Sequence, residues 1–433
     1  PISRLAAYEY EGIGNYKLSE LQQSALASIT EQFKTKKTVL LHGVTGSGKT
    51  QVFVELIEQT IAKGQQVLYL LPEIALTAQI VGRLQKHFGD KIVVYHSKFS
   101  SYERVEIWHR ALTGTPILLG ARSSLFLPFK NLGLIIVDEE HDPSYKQADP
   151  APRYNARDTA VFMSNSLYPQ CRTLLGTATP SVETYYNVLQ GRYGLVEMKN
   201  RHGGLALPEM FLVDLADEQK QKRMKSSFSQ TLLDALRECF ARGEQAILFQ
   251  NRRGYAPLYK CQVCGWAAEC RRCDVSMTYH KHSHDLHCHY CGEEQRLPSA
   301  CPACGSANLG IQGFGTERIE DELQMYLEQA KTVRMDLDTV RGKDGAQHII
   351  EQFDKKEVNV LVGTQMVTKG LDFDNVGLVG VLNADLMLQF PDFRASERAY
   401  QLLTQVAGRA GRKHKRGRVL VQARQVGHPV LHE

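Results

Sequence analysis

The sequence predicts an α/β protein made of two parallel-sheet lobes, with a small cysteine-rich domain carrying two zinc sites inserted in the second lobe. Three observations carry that expectation. Short apolar runs of strand length alternate with longer helical stretches, a pattern that implies βαβ units and sheets covered on both faces. Between residues 261 and 304 the pattern gives way to eight cysteines in four C-x-x-C pairs. The 433 residues also exceed what one core serves, at about 100–200 residues per domain.

Composition narrows the class further. Hydrophobic residues make up 43% and charged residues 23%, which is ordinary for a globular protein. No apolar run approaches the roughly 18 residues that cross a bilayer, so no membrane partner is expected. The formal charge of +5 permits a nucleic-acid partner without arguing for one. Two zinc ions held by eight thiolates would reduce that charge to about +1. Clustered cysteines without a secretory segment point to metal in a reducing cytoplasm rather than to disulfides. The chain starts at Pro1 and not at Met, so a fragment with domains missing at both ends is expected.

Taken in order, residues 1–17 are polar and glycine-containing and read as a linker. Residues 18–26 read as a capped amphipathic helix, with Ser19 as N-cap and Leu21, Ala25, Leu26 and Ile29 on one face. Gln22 is placed to hydrogen-bond an adenine edge, the alternative being an exposed helix glutamine. The first lobe is expected over 18–196, with strand-like runs at 38–41, 67–71, 92–95, 117–120, 134–137 and 173–175. Runs at 246–250, 332–335, 358–362, 378–382 and 418–421 place a second lobe over 197–257 and 311–425. The insertion at 258–310 is expected between that lobe's first strand and a helix at 316–330, and residues 426–433 open a further domain.

The stretch GVTGSGKT (43–50) organises the rest. It follows an apolar strand and precedes a helical run, the context in which a glycine-rich loop turns its N–H groups onto phosphates at a helix N-terminus. Gly43, Val44, Thr45, Gly46, Ser47 and Gly48 form the cradle, Lys49 reaches the β/γ-phosphates of ATP, and Thr50 offers a hydroxyl to Mg²⁺. The strand at 134–137 ends in DEEH (138–141), which delivers Asp138 as the second Mg²⁺ ligand and Glu139 to orient the attacking water. In QVAGRAGR (405–412), Arg409 and Arg412 lie three apart on an expected helix face and suit the charge on a transferring γ-phosphoryl group. Residues 141–158 include Tyr145, Lys146, Arg153, Tyr154 and Arg157, which read as a DNA-sensing loop of stacking rings and phosphate-tracking cations. GTATPS (176–181) offers hydroxyls that can link the phosphate site to a nucleic-acid track.

These segments, with GTQMVTKGLDF (363–373), look like the ordered motifs of superfamily 2 helicases, whose lobes have RecA-like folds. PEIALTAQ (72–79), GARSSLFLP (120–128), HDPSYKQADPAPRYNARD (141–158), NRRGYAP (251–257) and PDFRASERAYQLLTQVAGRAGR (391–412) are similar to the bacterial primosomal replication-restart helicases within that superfamily. The resemblance runs from residue 18 to about 425 and adds Gly370 and Asp372 to the expected nucleotide contacts. It implies a 3′→5′ DNA helicase of the bacterial cytoplasm, nucleoid-associated, acting on single-stranded and forked DNA in replication restart. Its implied partners are primosome proteins, single-stranded DNA-binding protein and the replicative helicase loader. On that resemblance, the family's N-terminal DNA-binding domain and most of its C-terminal domain are expected to lie outside this sequence.

The eight cysteines fit two closed Cys₄ zinc sites of structural type. The gap of 14 residues between pairs two and three approaches that of a zinc ribbon, which favours a nested arrangement. Cys261, Cys264, Cys301 and Cys304 would hold one ion, and Cys270, Cys273, Cys288 and Cys291 the other. Sequential pairing must turn in five residues and stays open, as does iron–sulfur ligation, although no redox chemistry appears elsewhere. Gly265, Gly292 and Gly305 each follow a pair where positive φ is needed. Arg271, Arg272, Lys281, Trp266 and Tyr279 suggest a DNA wedge, against the plainer reading of a brace on the second lobe. Three functions remain in view: an unwinding helicase, a translocase that does not separate strands, and a zinc-ribbon scaffold with regulatory ATPase lobes.

Overall fold

A computed structural model describes residues 17–72, 78–95, 99–201, 206–251, 258–273, 275–280, 285–288, 291–312, 316–335, 345–368, 373–411 and 416–433. The chain divides into two units, Pro1–Gly204 and Leu205–Glu433. The linker expected at 1–17 lies outside the described residues except for Lys17.

In the first unit the order is α1 (Glu20–Gln32), β1 (Thr38–Gly43), α2 (Lys49–Ile61), β2 (Gln66–Leu70), α3 (Ala78–Phe88), β3 (Ile92–Tyr95) and α4 (Ser101–Thr113). It continues with β4 (Ile117–Gly120), β5 (Leu132–Asp138), α5 (Ala156–Phe162), β6 (Arg172–Thr177), α6 (Val182–Leu189) and β7 (Gly194–Met198). The strands form one sheet in the order β3-β4-β2-β5-β6-β1-β7, parallel at every pairing. Alternation along the central strands sends side chains to opposite faces. In β1, Val39 and Leu41 join the core on one face, and Leu40 joins the core on the other. Burial on both faces explains why these strands read as continuous apolar runs and not as alternating ones. The edge strand β7 pairs with β1 through Met198, past the lobe end expected at residue 196.

The second unit begins with β8 (Glu209–Asp214), α7 (Leu215–Lys220), a short hairpin of β9 (Met224–Lys225) and β10 (Phe228–Ser229), α8 (Gln230–Ala241) and β11 (Gln245–Phe249). The insertion follows with β12 (Leu258–Cys261), β13 (Thr278–His280), β14 (Asp285–His287), β15 (Glu294–Arg296) and β16 (Leu309–Gln312). The lobe resumes with α9 (Thr316–Tyr326), β17 (Thr332–Met335), α10 (Gly345–Asp354), β18 (Val360–Gly363), β19 (Val376–Val381), α11 (Asp385–Leu388), α12 (Ala395–Ala407) and β20 (Arg418–Ala423). Its sheet has the order β17-β18-β11-β19-β20-β8, parallel throughout, with apolar clusters on each face. The insertion follows β11, the second strand in chain order of this unit's parallel sheet, and not the first as expected. β8 escaped notice because Met210, Phe211 and Leu212 are exposed on an edge strand flanked by acids. The cysteine block is an antiparallel sheet, β15-β14-β13-β12-β16, around a small core of Met277, Leu286 and Val275.

Candidate nucleotide site and zinc centres

Strand β1 ends at Gly43 and helix α2 begins at Lys49, so the loop expected to cradle phosphates joins a buried strand to a helix N-terminus. Gly48 caps that helix at φ +85, a backbone region open to glycine. A Cβ there would also lie 2.3 Å from the Gln22 amide nitrogen. The loop amide of Val44 donates to Met198 O at 3.0 Å, which ties the loop to β7. Lys49 Nζ donates to Gly43 O at 2.7 Å, and Thr50 is exposed in the first turn of α2. The Ser47 hydroxyl is buried in the cradle with no hydrogen-bond partner among the described residues, which suits a loop built to take a ligand's acceptors.

Gln22 is 2% exposed and not on the helix surface. Its side-chain oxygen accepts from Ser19 N at 2.9 Å in a capping box, and its amide donates to Gly48 O at 3.4 Å. The glutamine therefore fastens α1 to the phosphate loop. Spacing could not distinguish this from an exposed position, because only the folded loop supplies the acceptor. Arg201, a residue the sequence reading passed over, is buried against the same loop, with its side-chain carbons 3.8–3.9 Å from where a Gly46 Cβ would stand.

Asp138 ends β5 as expected. It accepts from Tyr69 Oη at 3.0 Å and from Glu139 N at 3.0 Å. Burial, and then the adjacent Glu139 carboxylate, push its pKa up to about 7, against the pull of Lys49 and the Tyr69 hydrogen bond. A carboxyl held up in this way, with a lysine and a second acid beside it, fits a divalent cation, which would supply the missing positive charge. The Mg²⁺ ligands expected from sequence, Thr50 and Asp138, are the first-turn hydroxyl and the strand-end acid of one unit. Glu139 sits at φ +49, a left-handed backbone that costs a side-chain-bearing residue about 1–3 kcal/mol.

Glu140, given no role in the sequence reading, is 2% exposed and anchors the neighbouring motifs. Its carboxylate accepts from Ser181 N at 2.7 Å, Ser181 Oγ at 3.0 Å, Thr184 Oγ1 at 2.8 Å and Arg157 Nη1 at 3.2 Å. His141 Nδ1 lies 2.7 Å from Thr177 Oγ1, and His42 Nε2 lies 3.2 Å from Ala178 O. DEEH and GTATPS are thus joined side chain to side chain.

The loop 141–158 departs from its expected form. Tyr145 is 1% exposed in the core, and its hydroxyl donates to Leu70 O at 3.0 Å and Asp138 O at 2.6 Å. It cannot stack on a base, because the ring closes the end of β5 from beneath. Lys146 Nζ is engaged with Arg153 O at 2.6 Å, and Tyr154 packs edge-on against Phe126. Tyr145→Ala is expected to cost about 3–5 kcal/mol as a buried aromatic truncation, and Tyr145→Phe about 0.5–1.5 kcal/mol for the lost hydroxyl hydrogen bond. Denaturant unfolding measures both, and a wild-type curve for Tyr145→Ala would restore the surface reading.

In the second unit, α12 ends at Ala407 with Gly408 as C-cap, so Arg409 lies in the following turn and not on a helix face. Gly411, at φ +68, ends that turn by donating to Val376 O at 3.0 Å. Arg412, Gly370 and Asp372 lie outside the described residues.

The cysteines fall into the nested sets. Cys261, Cys264, Cys301 and Cys304 gather in one cluster and Cys270, Cys273, Cys288 and Cys291 in another, with the sulfurs of each set within 4.8 Å of one another. Sulfur separations of 3.5–3.6 Å match the edge of about 3.8 Å expected for a tetrahedron with Zn–S near 2.3 Å. Gly265, Gly292 and Gly305 take φ of +81, +74 and +72 and donate to the carbonyl of the first cysteine of each pair. Burial and then neighbouring thiols push Cys273 up to about 12, so four thiolates could be held together there only by a cation.

The first knuckle is seated on the lobe. Gly265 O accepts from Gln389 Nε2 at 3.0 Å, Val263 O accepts from Arg424 Nη1 at 3.2 Å, and Asp385 accepts from Arg424 N at 2.8 Å. Tyr279, expected as a stacking platform, is 8% exposed and stacks on Tyr259 in the insertion's own core, where Trp266 also packs. A domain this small needs its large rings inside. Arg271 and Arg272 are exposed beside the second site, while Lys281 is outside the described residues.

Comparison with known proteins follows these boundaries. Residues 19–188 match the DEAD/DEAH box helicase model, 270–296 the PriA DNA helicase Cys-rich region domain, and 315–414 the helicase conserved C-terminal domain. The chain is 44% identical over 414 residues to the replication restart protein PriA of Bacillus subtilis, covering 95% of this chain and 51% of that protein. It is 42% identical over 416 residues to PriA of Chlamydia pneumoniae, covering 95% and 55%. The chain therefore spans about half the length of these relatives. A structure of the DUF1998 helicase MrfA bound to DNA shares the fold at TM-score 0.57 and 15% identity, over 94% of this chain and 49% of that one. Over 95% of its length, with helicase-domain matches on either side of a Cys-rich match, the chain is similar to the replication restart proteins PriA.

Proposed function

We propose that this chain is an ATP-driven 3′→5′ DNA helicase motor that acts in replication restart, coupling hydrolysis to single-strand translocation and duplex unwinding. The observation that carries this reading is the phosphate loop facing a strand-end acid pair whose first member is pushed up to about 7. The loop of residues 43–48 and Lys49 would bind the polyphosphate, and Gln22 would set the adenine side. Thr50 and Asp138 would hold Mg²⁺, which neutralises charge on the β- and γ-phosphoryl oxygens when bound. Glu139 would orient the attacking water, Arg409 and Arg412 would stabilise charge on the transferring phosphoryl group, and Gly370 and Asp372 would contact the nucleotide. Two zinc ions would keep the insertion folded. The partners proposed are single-stranded and forked DNA, primosome proteins, single-stranded DNA-binding protein and the replicative helicase loader, in a bacterial cytoplasm. Among the described residues no helix is long and apolar enough to cross a membrane.

Strand displacement on forked and blunt duplexes, with and without ATP, tests the proposal, and substrates with only a 3′ or only a 5′ tail test polarity. ATP-dependent displacement is the expected result. Hydrolysis without displacement on any substrate would leave a translocase instead.

Asp138 also gives a pH signature. Its folded-state value of about 7 lies above the unfolded value near 3.9, so the protonated carboxyl favours the folded state. That contribution is complete below about pH 4 and is lost as pH rises through about 7. A divalent cation removes the penalty on the charged form. The gain in melting temperature on adding Mg²⁺ should therefore be larger at pH 8 than at pH 5, and larger in the wild type than in Asp138→Asn.

A further inference from the structure

The left-handed backbone of Glu139 is held between two anchored neighbours. On one side, Asp138 O accepts from the buried Tyr145 hydroxyl at 2.6 Å, and Glu139 N closes back onto Asp138 Oδ1 at 3.0 Å. On the other side, Glu140 N donates to Gly176 O at 3.1 Å, and the Glu140 carboxylate is fixed by Ser181, Thr184 and Arg157. Ser181 is also the N-cap of α6, accepting from Thr184 N at 3.3 Å, so the acceptor set is built on a helix start. A φ of +49 is a conformation an unconstrained glutamate leaves readily, and it persists only where the surroundings impose it.

We propose that Glu140 is the positioning residue for Glu139: its buried carboxylate clamps the peptide so that Glu139 faces the bound nucleotide. Glu140 touches neither nucleotide nor water in this role. It holds the turn that presents the neighbouring carboxylate, and Arg157 balances its charge where water cannot. The four donors are directed at both carboxylate oxygens, so the side chain cannot rotate without breaking several bonds at once. Release of the clamp would let Glu139 relax to an ordinary backbone conformation and swing its carboxylate away. This inference rests on the assignment of Glu139 as the residue that orients water.

The test is steady-state ATP hydrolysis by the purified zinc-loaded chain, with single-stranded DNA present, for Glu140→Ala, Glu140→Gln and the double variant Ser181→Ala/Thr184→Val. Displacing a catalytic group by about 1 Å can cost on the order of 100-fold in rate. Glu140→Ala should therefore lose at least about tenfold in kcat, with KM for ATP and binding of a fluorescent ATP analogue changed less than about twofold. Glu140→Gln, which keeps shape and acceptor oxygen, should recover part of that loss. If Glu140→Ala fails to fold, the double variant decides, because it keeps the Glu140–Arg157 pair and removes both hydroxyl donors. A lower melting temperature with unchanged kcat below the melt would overturn the proposal, leaving Glu140 a structural residue. Glu139→Gln is run alongside. If it hydrolyses ATP normally, the reading of the site itself fails. If it is inactive while the Glu140 and double variants keep full kcat, only the positioning role fails.

Discussion

Lys49→Ala is expected to slow ATP hydrolysis by at least about 10²–10³-fold, the loss typical of removing one preorganised charge-stabilising group. The ammonium stands on the phosphate loop itself, 2.7 Å from Gly43 O, at the first residue of α2. A nucleotide's phosphates would exchange that weak carbonyl contact for a charge-assisted one. Because Lys49 is half-buried at the start of α2 and not part of an apolar cluster, its removal should leave the fold alone. Zinc content should stay at two per chain, and the melting temperature should move by no more than a few degrees, so lost turnover can be assigned to chemistry. Rapid-quench hydrolysis with metal analysis of the same sample checks both halves. Wild-type turnover would remove the phosphate loop from the mechanism.

Removing a zinc ligand is the second large effect. Structural zinc contributes apparent folding energies of about 10–16 kcal/mol in small domains, and the insertion has only a small core of its own. Cys301→Ser should release the ion of the first site, and Cys288→Ser that of the second, each lowering zinc content from two to one. Unwinding is expected to fail in both variants while DNA-stimulated ATP hydrolysis persists, since none of the residues proposed to bind or hydrolyse ATP lies in the insertion. The two variants should differ in severity. The first site carries the knuckle held by Gln389 and Arg424, so its loss also frees the segment around Asp385. Zinc analysis, hydrolysis and strand displacement on one preparation measure this. Equal loss of both activities in both variants would mean that the block only holds its lobe together.

Much of this was legible in the sequence because it is locally encoded. A buried parallel strand must be apolar on both faces, so nearly every central strand announced itself as a continuous run. A loop that bends at positive φ needs glycine, which marks Gly46, Gly48 and the three knuckle glycines in the sequence itself. Four pairs of cysteines with a two-residue gap can close only a few ways; the 14-residue spacing favoured the nested one, and the sulfur clusters follow it. Edge strands were less visible. β8 carries exposed apolar residues and no buried run, so its sequence does not distinguish it from a loop.

What the sequence alone determined were the chemical groups: a phosphate loop, a strand-end acid pair, two Cys₄ sets and the order of the motifs that join them. Only the tertiary structure decided which neighbours those groups meet. A tyrosine beside charged residues reads as a stacking surface, yet Tyr145 is driven into the core because β5 needs its end closed. Gln22 meets Gly48, and Glu140 meets Ser181, across 26 and 41 residues of chain. Such partners are set by packing and not by periodicity. Local sequence dictates backbone conformation and burial, but a hydrogen bond between distant segments exists only once both are folded.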